Sequence, residues 1–133
     1  MIEPHNFQEL ALNLLIFDHM CETAPSGQPI SKTNKESIFR TTIDRSYYAS
    51  FLSIRIWLKN IGIVIPNGGA HTKILEEIRD CNRLGKDRHT IAGKLEYLRD
   101  FRNDASYEVD MDFNKDDAVN AIDEAEEMLK LIP

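Results

Sequence analysis

Hydrophobic positions recur at intervals of three and four along most of the chain, the period of a helix face rather than the alternation of a strand. Phe7, Leu10, Leu14 and Phe17 mark a first predicted helix, opened by Asn6 with Glu9 at capping-box spacing and ending near Cys21. Residues 24–29 are a loop by composition. Thr33 and Glu36 have the same capping spacing and open the longest predicted helix, which runs to about Ile61. Phe39, Ile43, Tyr47, Ile54, Leu58 and Ile61 form its main stripe, and Tyr48, Ala49, Leu52 and Ile56 widen it. Gly62 reads as its C-cap, and residues 66–69 as a loop. A third helix is expected over about 71–83 with Ile74, Leu75 and Ile78 inward, and a fourth over about 87–105. Asn114 caps a fifth, whose inner face is Ala118, Ile122, Ala125 and Leu129. No hairpin signal appears. The expected architecture is all-α, an antiparallel four- to five-helix up-and-down bundle forming one domain over residues 1–133.

One position breaks the pattern. Ile91, Leu95, Leu98, Arg102 and Ala105 lie on a single seam, with an arginine where the periodicity calls for an apolar residue. A guanidinium does not give up its charge, and burying it unpaired costs several kcal/mol. The seam must therefore open at Arg102 onto a polar groove, an anionic partner or a second subunit, unless Arg102 reaches water from a frayed helix end. Arg45 shares a face with Tyr48, Ala49 and Leu52, which makes it a second candidate inward arginine. Two guanidinium forks with tyrosine hydroxyls near by match the oxygens of a phosphodiester. The alternative is an internal network, in which Arg45 pairs with Asp104 or Asp44 and Arg102 with another acid.

Charge narrows the choice of partner. The net charge of −6 is concentrated in residues 106–133, which hold nine acidic and two basic side chains. The preceding stretch is locally basic through Arg83, Lys86, Arg88, Lys94, Arg99 and Arg102. Broad non-specific duplex binding, which needs many phosphate contacts, does not fit an acidic total; a small groove reading one or two phosphates does. The two cysteines, Cys21 and Cys81, lack the spacing of a zinc site or disulfide framework and read as apolar fillers. Glu108, Asp110, Asp112, Asp116 and Asp117 suit helix capping and solvation, so no metal site is expected. No glycine-rich phosphate loop, nucleophile elbow or H-E-x-x-H motif occurs, and no cofactor is expected. The start of the chain lacks a basic, then apolar leader, and the longest apolar stretch, 61–65, is far short of a membrane span. A cytoplasmic protein is the expectation.

Two segments carry a family resemblance. Arg45-Ser46-Tyr47-Tyr48-Ala49 and Arg102-Asn103-Asp104-Ala105-Ser106-Tyr107 resemble the HEPN superfamily, in the branch with an R-x-Y-Y-A helix and an R-N-x-A-x-Y ending. His71, in Ala70-His71-Thr72, resembles a histidine that this branch often carries at the start of its third helix. The similarity covers roughly residues 36–131. It implies an all-α bundle that commonly dimerises, with two copies of the arginine motif across a shared cleft. Many members are metal-independent ribonucleases, often toxins paired with a minimal nucleotidyltransferase antitoxin. Their active motif is an arginine, a polar residue, then a histidine four to six residues after the arginine. Arg102 and Asn103 match its first two elements, while positions 107–109 are Tyr107, Glu108 and Val109, without the histidine. Proton transfer at neutral pH suits histidine, whereas tyrosine with an ordinary pKa near 10 is a poor base. The residues expected to act are thus Arg102 on the scissile phosphate, Asn103 orienting it and Tyr107 donating to an oxygen. Arg45, Tyr48, Asp104 and His71 are the supporting binding candidates, with RNA or a nucleotide as ligand. The other expectation is a non-catalytic module that binds a nucleotide or a nucleotidyltransferase partner.

Overall fold

A computed structural model describes residues 32–133, with side chains from Lys35 onward. The first predicted helix, the loop at 24–29 and Cys21 lie outside the described residues. Four α-helices follow: α1 (Lys32–Asn60), α2 (Ala70–Asp80), α3 (Asp87–Tyr107) and α4 (Lys115–Leu131), with a 3-10 turn at Asn82–Leu84 before α3. Among the described residues there is no strand, and the all-helical expectation holds.

Side-chain pairs fix the directions of the long helices. Lys94 reaches Glu124 and Glu127, Asn120 reaches Tyr97, and Phe101 stacks near Phe113, so α3 and α4 run antiparallel. Arg40 meets the end of α3 at Ala105, while Asp44 and Tyr48 meet Arg102 one turn earlier, so α1 and α3 are antiparallel as well. The seam of α3 is buried as expected at Ile91, Leu95, Leu98 and Ala105. On α4 the inner face is Ala118, Ala121, Ile122, Ala125 and Met128; Leu129, expected inward, is only half-buried because Met128 fills that position.

Several predicted boundaries shift for physical reasons. Helix α2 ends at Asp80 rather than near Arg83, because Cys81 adopts an extended backbone (φ −82°, ψ 101°). Leu84 is then buried, and Gly85 turns the chain with φ 59°, a conformation that favours glycine. Gly62 does the same after α1 with φ 95°; Ile63 N–H bonds Leu58 O at 2.9 Å, closing the helix as the sequence suggested. Asn114 caps α4 reciprocally with Asp117, at 2.9 and 3.0 Å. The cap expected at Thr33 differs. Helix α1 already includes Lys32, and Glu36 turns forward to Arg40 instead of back toward the helix start.

The buried face of α1 also lies elsewhere than the hydrophobic pattern implied. Thr42, Ser46, Ser50 and Ser53 are all buried, each hydroxyl donating to the carbonyl four residues earlier at 2.5–3.0 Å. Satisfied within the helix, these small polar residues are compatible with a core. They rotate the buried arc away from Leu52 and Ile56, which are half-buried, and leave Arg45 on the solvent side.

Candidate functional site

Helical spacing puts Arg40, Asp44 and Tyr48 on one edge of α1, four residues apart, facing the last two turns of α3. Arg102 sits against the Asp44–Tyr48 part of that edge with 19% of its side chain exposed. Its Nε donates to Asp44 Oδ1 at 2.8 Å, one terminal nitrogen to Asn103 Oδ1 at 3.2 Å, and the other to Tyr48 Oη at 3.1 Å. The guanidinium carbon lies 5.2 Å from the Tyr48 ring centre, 5.5 Å from that of Tyr107 and 5.9 Å from that of Tyr47. These are cation–π distances. Partial burial is the largest single influence and opposes the charge, but the Asp44 hydrogen bond and the Tyr48, Asp44 and Tyr107 charges together exceed it, so the Arg102 pKa is raised. Arg102 is neither loose in solvent nor saturated. A guanidinium carries five N–H donors, and three are used among the described residues.

The other sequence candidates fall into three groups. Asn103, Tyr48 and Tyr107 surround Arg102, and the Tyr107 ring is 68% exposed. Asp104 is half-buried on the same turn; its carboxylate binds neither arginine, and its backbone carbonyl accepts the Glu108 N–H at 3.0 Å. Arg45 is a correction. The expected inward arginine is exposed, for the reason given by the serine-lined arc, and it pairs with neither Asp44 nor Asp104 among the described residues.

His71 is joined to the cluster through Tyr47. Tyr47 Oη and His71 Nδ1 are 3.0 Å apart, and the rings are 5.8 Å between centres. Burial raises the Tyr47 pKa to about 12, while burial and then the nearby Arg99 charge lower that of His71 to about 4. At neutral pH the phenol therefore donates and a neutral imidazole accepts at Nδ1, leaving its proton on Nε2. That Nε2 is buried without a hydrogen-bond partner among the described residues. The His71 ring thus holds Tyr47 in place while Arg102 lies over the same ring's neighbourhood.

Arg40 is the residue the sequence reading passed over. Its guanidinium donates to Ala105 O at 2.7 Å, to Glu108 O at 3.2 Å from both terminal nitrogens, to Met111 O and to Glu36 Oε1 at 3.0 Å. It also lies 4.7 Å over the Phe113 ring. Arg40 gathers the carbonyls at the end of α3 and in the following loop, so it fixes the segment that carries Ser106 and Tyr107. The readable signal was the four-residue spacing of Arg40, Asp44 and Tyr48, which the stripe assigned to Arg45 obscured.

Beside this cluster an open groove separates α1 from the last turn of α3. It has two lobes of about 390 and 320 Å³ that share Ser37, Arg40, Ala105 and Ser106. Asp44 and Arg45 line the smaller lobe, so the carboxylate holding Arg102 is also a wall of the groove. Among the described residues no group of three or more histidine, cysteine or acidic side chains is arranged to hold a metal ion. None of the described helices is long and apolar enough to cross a membrane. Cys81 is a free, buried thiol at the end of α2.

A helical bundle with a guanidinium held among tyrosines at the end of one long helix defines an arginine-centred class of helical domain. The model of the HEPN domain matches residues 31–133, and the chain belongs to that family. HEPN domains are often found in toxin–antitoxin or defence systems with ribonuclease activity, and they commonly dimerise. No curated protein and no solved structure matches the chain.

Proposed function

We propose that this chain is an RNA-acting HEPN protein of a toxin–antitoxin or defence system, with Arg102 as its ligand for an RNA phosphate. One observation carries this reading. Arg102 is anchored by Asp44, Asn103 and Tyr48 yet keeps two N–H donors unused among the described residues, which suits a bidentate hold on phosphate oxygens. The exposed faces of Tyr48 and Tyr107 beside it offer stacking surfaces for unpaired bases. In this reading Asn103 orients the guanidinium and Tyr107 donates to a phosphate oxygen. The working unit is a homodimer in the cytoplasm, held by a nucleotidyltransferase antitoxin when silent. Exposed Tyr107, Val109 and Met111 lie next to the site and supply apolar surface for the second copy.

A second reading keeps the binding and drops the cleavage. It is favoured by the absence of a histidine after Arg102 and by the neutral, Tyr47-bound state of His71, which leaves no ready general base. One experiment separates the two. Wild-type protein and Arg102→Ala are incubated with single-stranded RNA and a chelator, and both bound fraction and product length are read. Wild type is expected to bind, with Arg102→Ala at least tenfold weaker; metal-independent shortening of the RNA, lost in the variant, identifies the ribonuclease. Binding without shortening identifies the non-catalytic module. Equal binding by the two proteins rejects Arg102 as the phosphate ligand.

A further inference from the structure

We propose that Arg45 and Ser106 form a second phosphate subsite in the groove beside Arg102, taking the next phosphate of a single-stranded RNA. The proposal rests on the reading of Arg102 as a phosphate ligand and extends it by one nucleotide.

Charge within the groove supports an anion. Its two carboxylates are already paired inside the chain: Glu36 with Arg40 at 3.0 Å and Asp44 with Arg102 at 2.8 Å. Arg45 has no ion pair or hydrogen bond among the described residues, so it is the cation left over on that wall. Ser106 sits opposite on α3, exposed, with its hydroxyl likewise unbonded among the described residues. Thr41 is different, since its hydroxyl is spent on Ser37 O at 2.8 Å. A guanidinium facing a free hydroxyl across a lobe of about 320 Å³ provides donors from two sides for one phosphate, with room for part of the attached sugar.

Continuity with Arg102 selects a nucleic acid over other anions. Asp44 is the partition: it binds Arg102 on one side and lines the Arg45 lobe on the other. Ser106 and Tyr107 are consecutive, with Ser106 in the groove and the Tyr107 ring beside the Arg102 guanidinium. Two phosphate donors thus lie on either side of Asp44, with the Tyr48 and Tyr107 rings at the Arg102 end, a combination that suits a single strand carrying both phosphates and bases. An acidic peptide would use Arg45 but would have no call on the aromatic faces. With a net charge of −6, the chain repels polyanions at long range, so binding must come from a few close contacts of this kind.

The test compares a dinucleotide holding one internal phosphate with the same dinucleotide carrying a second, terminal phosphate at either end. Affinity is measured by titration for wild type, Arg45→Ala, Ser106→Ala and Arg102→Ala. A second phosphate at one end, and not at the other, should tighten wild-type binding about tenfold, the scale of one good charge-assisted contact. Arg45→Ala should remove that gain, Ser106→Ala should reduce it, and Arg102→Ala should weaken both ligands. With a longer oligonucleotide, the slope of log affinity against log salt should flatten by about 0.7 in Arg45→Ala, the loss of one phosphate contact. A merely structural role for Arg45 would not move that slope. An equal gain at both ends, or a gain that survives Arg45→Ala, overturns the subsite and leaves the Arg102 reading standing. Failure of wild type to bind either dinucleotide or the longer strand overturns the Arg102 reading itself. Arg45-dependent binding of an acidic peptide without any second-phosphate gain assigns the groove to a protein instead.

Discussion

Arg40 and Arg102 have nearly the same burial, lie one helical turn apart along the α1–α3 contact, and are spent in opposite ways. Arg40 uses its whole fork on Glu36 and on three backbone carbonyls. Among the described residues Arg102 is held by three side chains and retains two donors. Carbonyls at a helix end are fixed acceptors that need a donor to fold against, so the first arrangement closes the structure. Side-chain acceptors around a charge that still has capacity make a socket rather than a clasp. Partial burial alone does not distinguish a structural arginine from a ligand-binding one; the count of unused donors does.

The largest expected effect tests that difference directly. Arg40→Ala should destabilise the fold by about 2–3 kcal/mol, because it strips charge-assisted bonds from the carbonyls after Ala105. Arg102→Ala should cost about 1 kcal/mol or less, since its ion pair with Asp44 is partly exposed. Urea midpoints measure both. Equal losses would place the two arginines in one structural role and remove the reason for treating Arg102 as a socket.

A middle-sized effect concerns what supports each arginine. Tyr47, beside Arg102, is held by His71; among the described residues no histidine touches Arg40. The folded His71 pKa, about 4, is depressed from 6.5, so the unfolded chain takes up the proton first as acid is added. Its contribution to stability is complete above 6.5 and is lost as pH falls toward 4. Because the ring is half-exposed, the contribution is discounted to about 1 kcal/mol. His71→Gln, which can still accept from Tyr47, should flatten the decline in stability between neutral pH and the acid limb. An unchanged pH profile in that variant would detach His71 from the Arg102 side of the molecule.

The contrast also shows what the sequence disclosed. Period-three-and-four spacing located the long helices, the Asn114 cap and the Gly62 stop, because each depends on nearby residues. Arg102 was legible because a charge on an apolar seam contradicts its neighbours. Arg45 reads as a second inward arginine because it shares a face with Tyr48, Ala49 and Leu52; the hydroxyls of Ser46, Ser50 and Ser53 are satisfied within α1, so the core lies on their side instead. The acceptors of Arg40 are backbone carbonyls some 65–71 residues away, so only its four-residue spacing from Asp44 and Tyr48 marks it in the sequence. The groove, a shape between two helices, has no sequence signature at all.

The smallest effect is the most discriminating. Asp44→Asn removes the charge that faces Arg102 Nε while keeping an oxygen that accepts its hydrogen bond. If Asp44 serves chiefly to aim the guanidinium, stability should change by less than about 1 kcal/mol, the range of a partly exposed pair. RNA affinity should meanwhile rise a few-fold, because the competing carboxylate is gone and both Arg102 and Arg45 face the phosphates unopposed. That gain should shrink with added salt. A loss of stability approaching that of Arg40→Ala, with no change in RNA binding, would mean that the Arg102–Asp44 pair closes the bundle as the Arg40 clasp does. In that case the two donors left on Arg102 would be a remainder of packing rather than a place for a ligand.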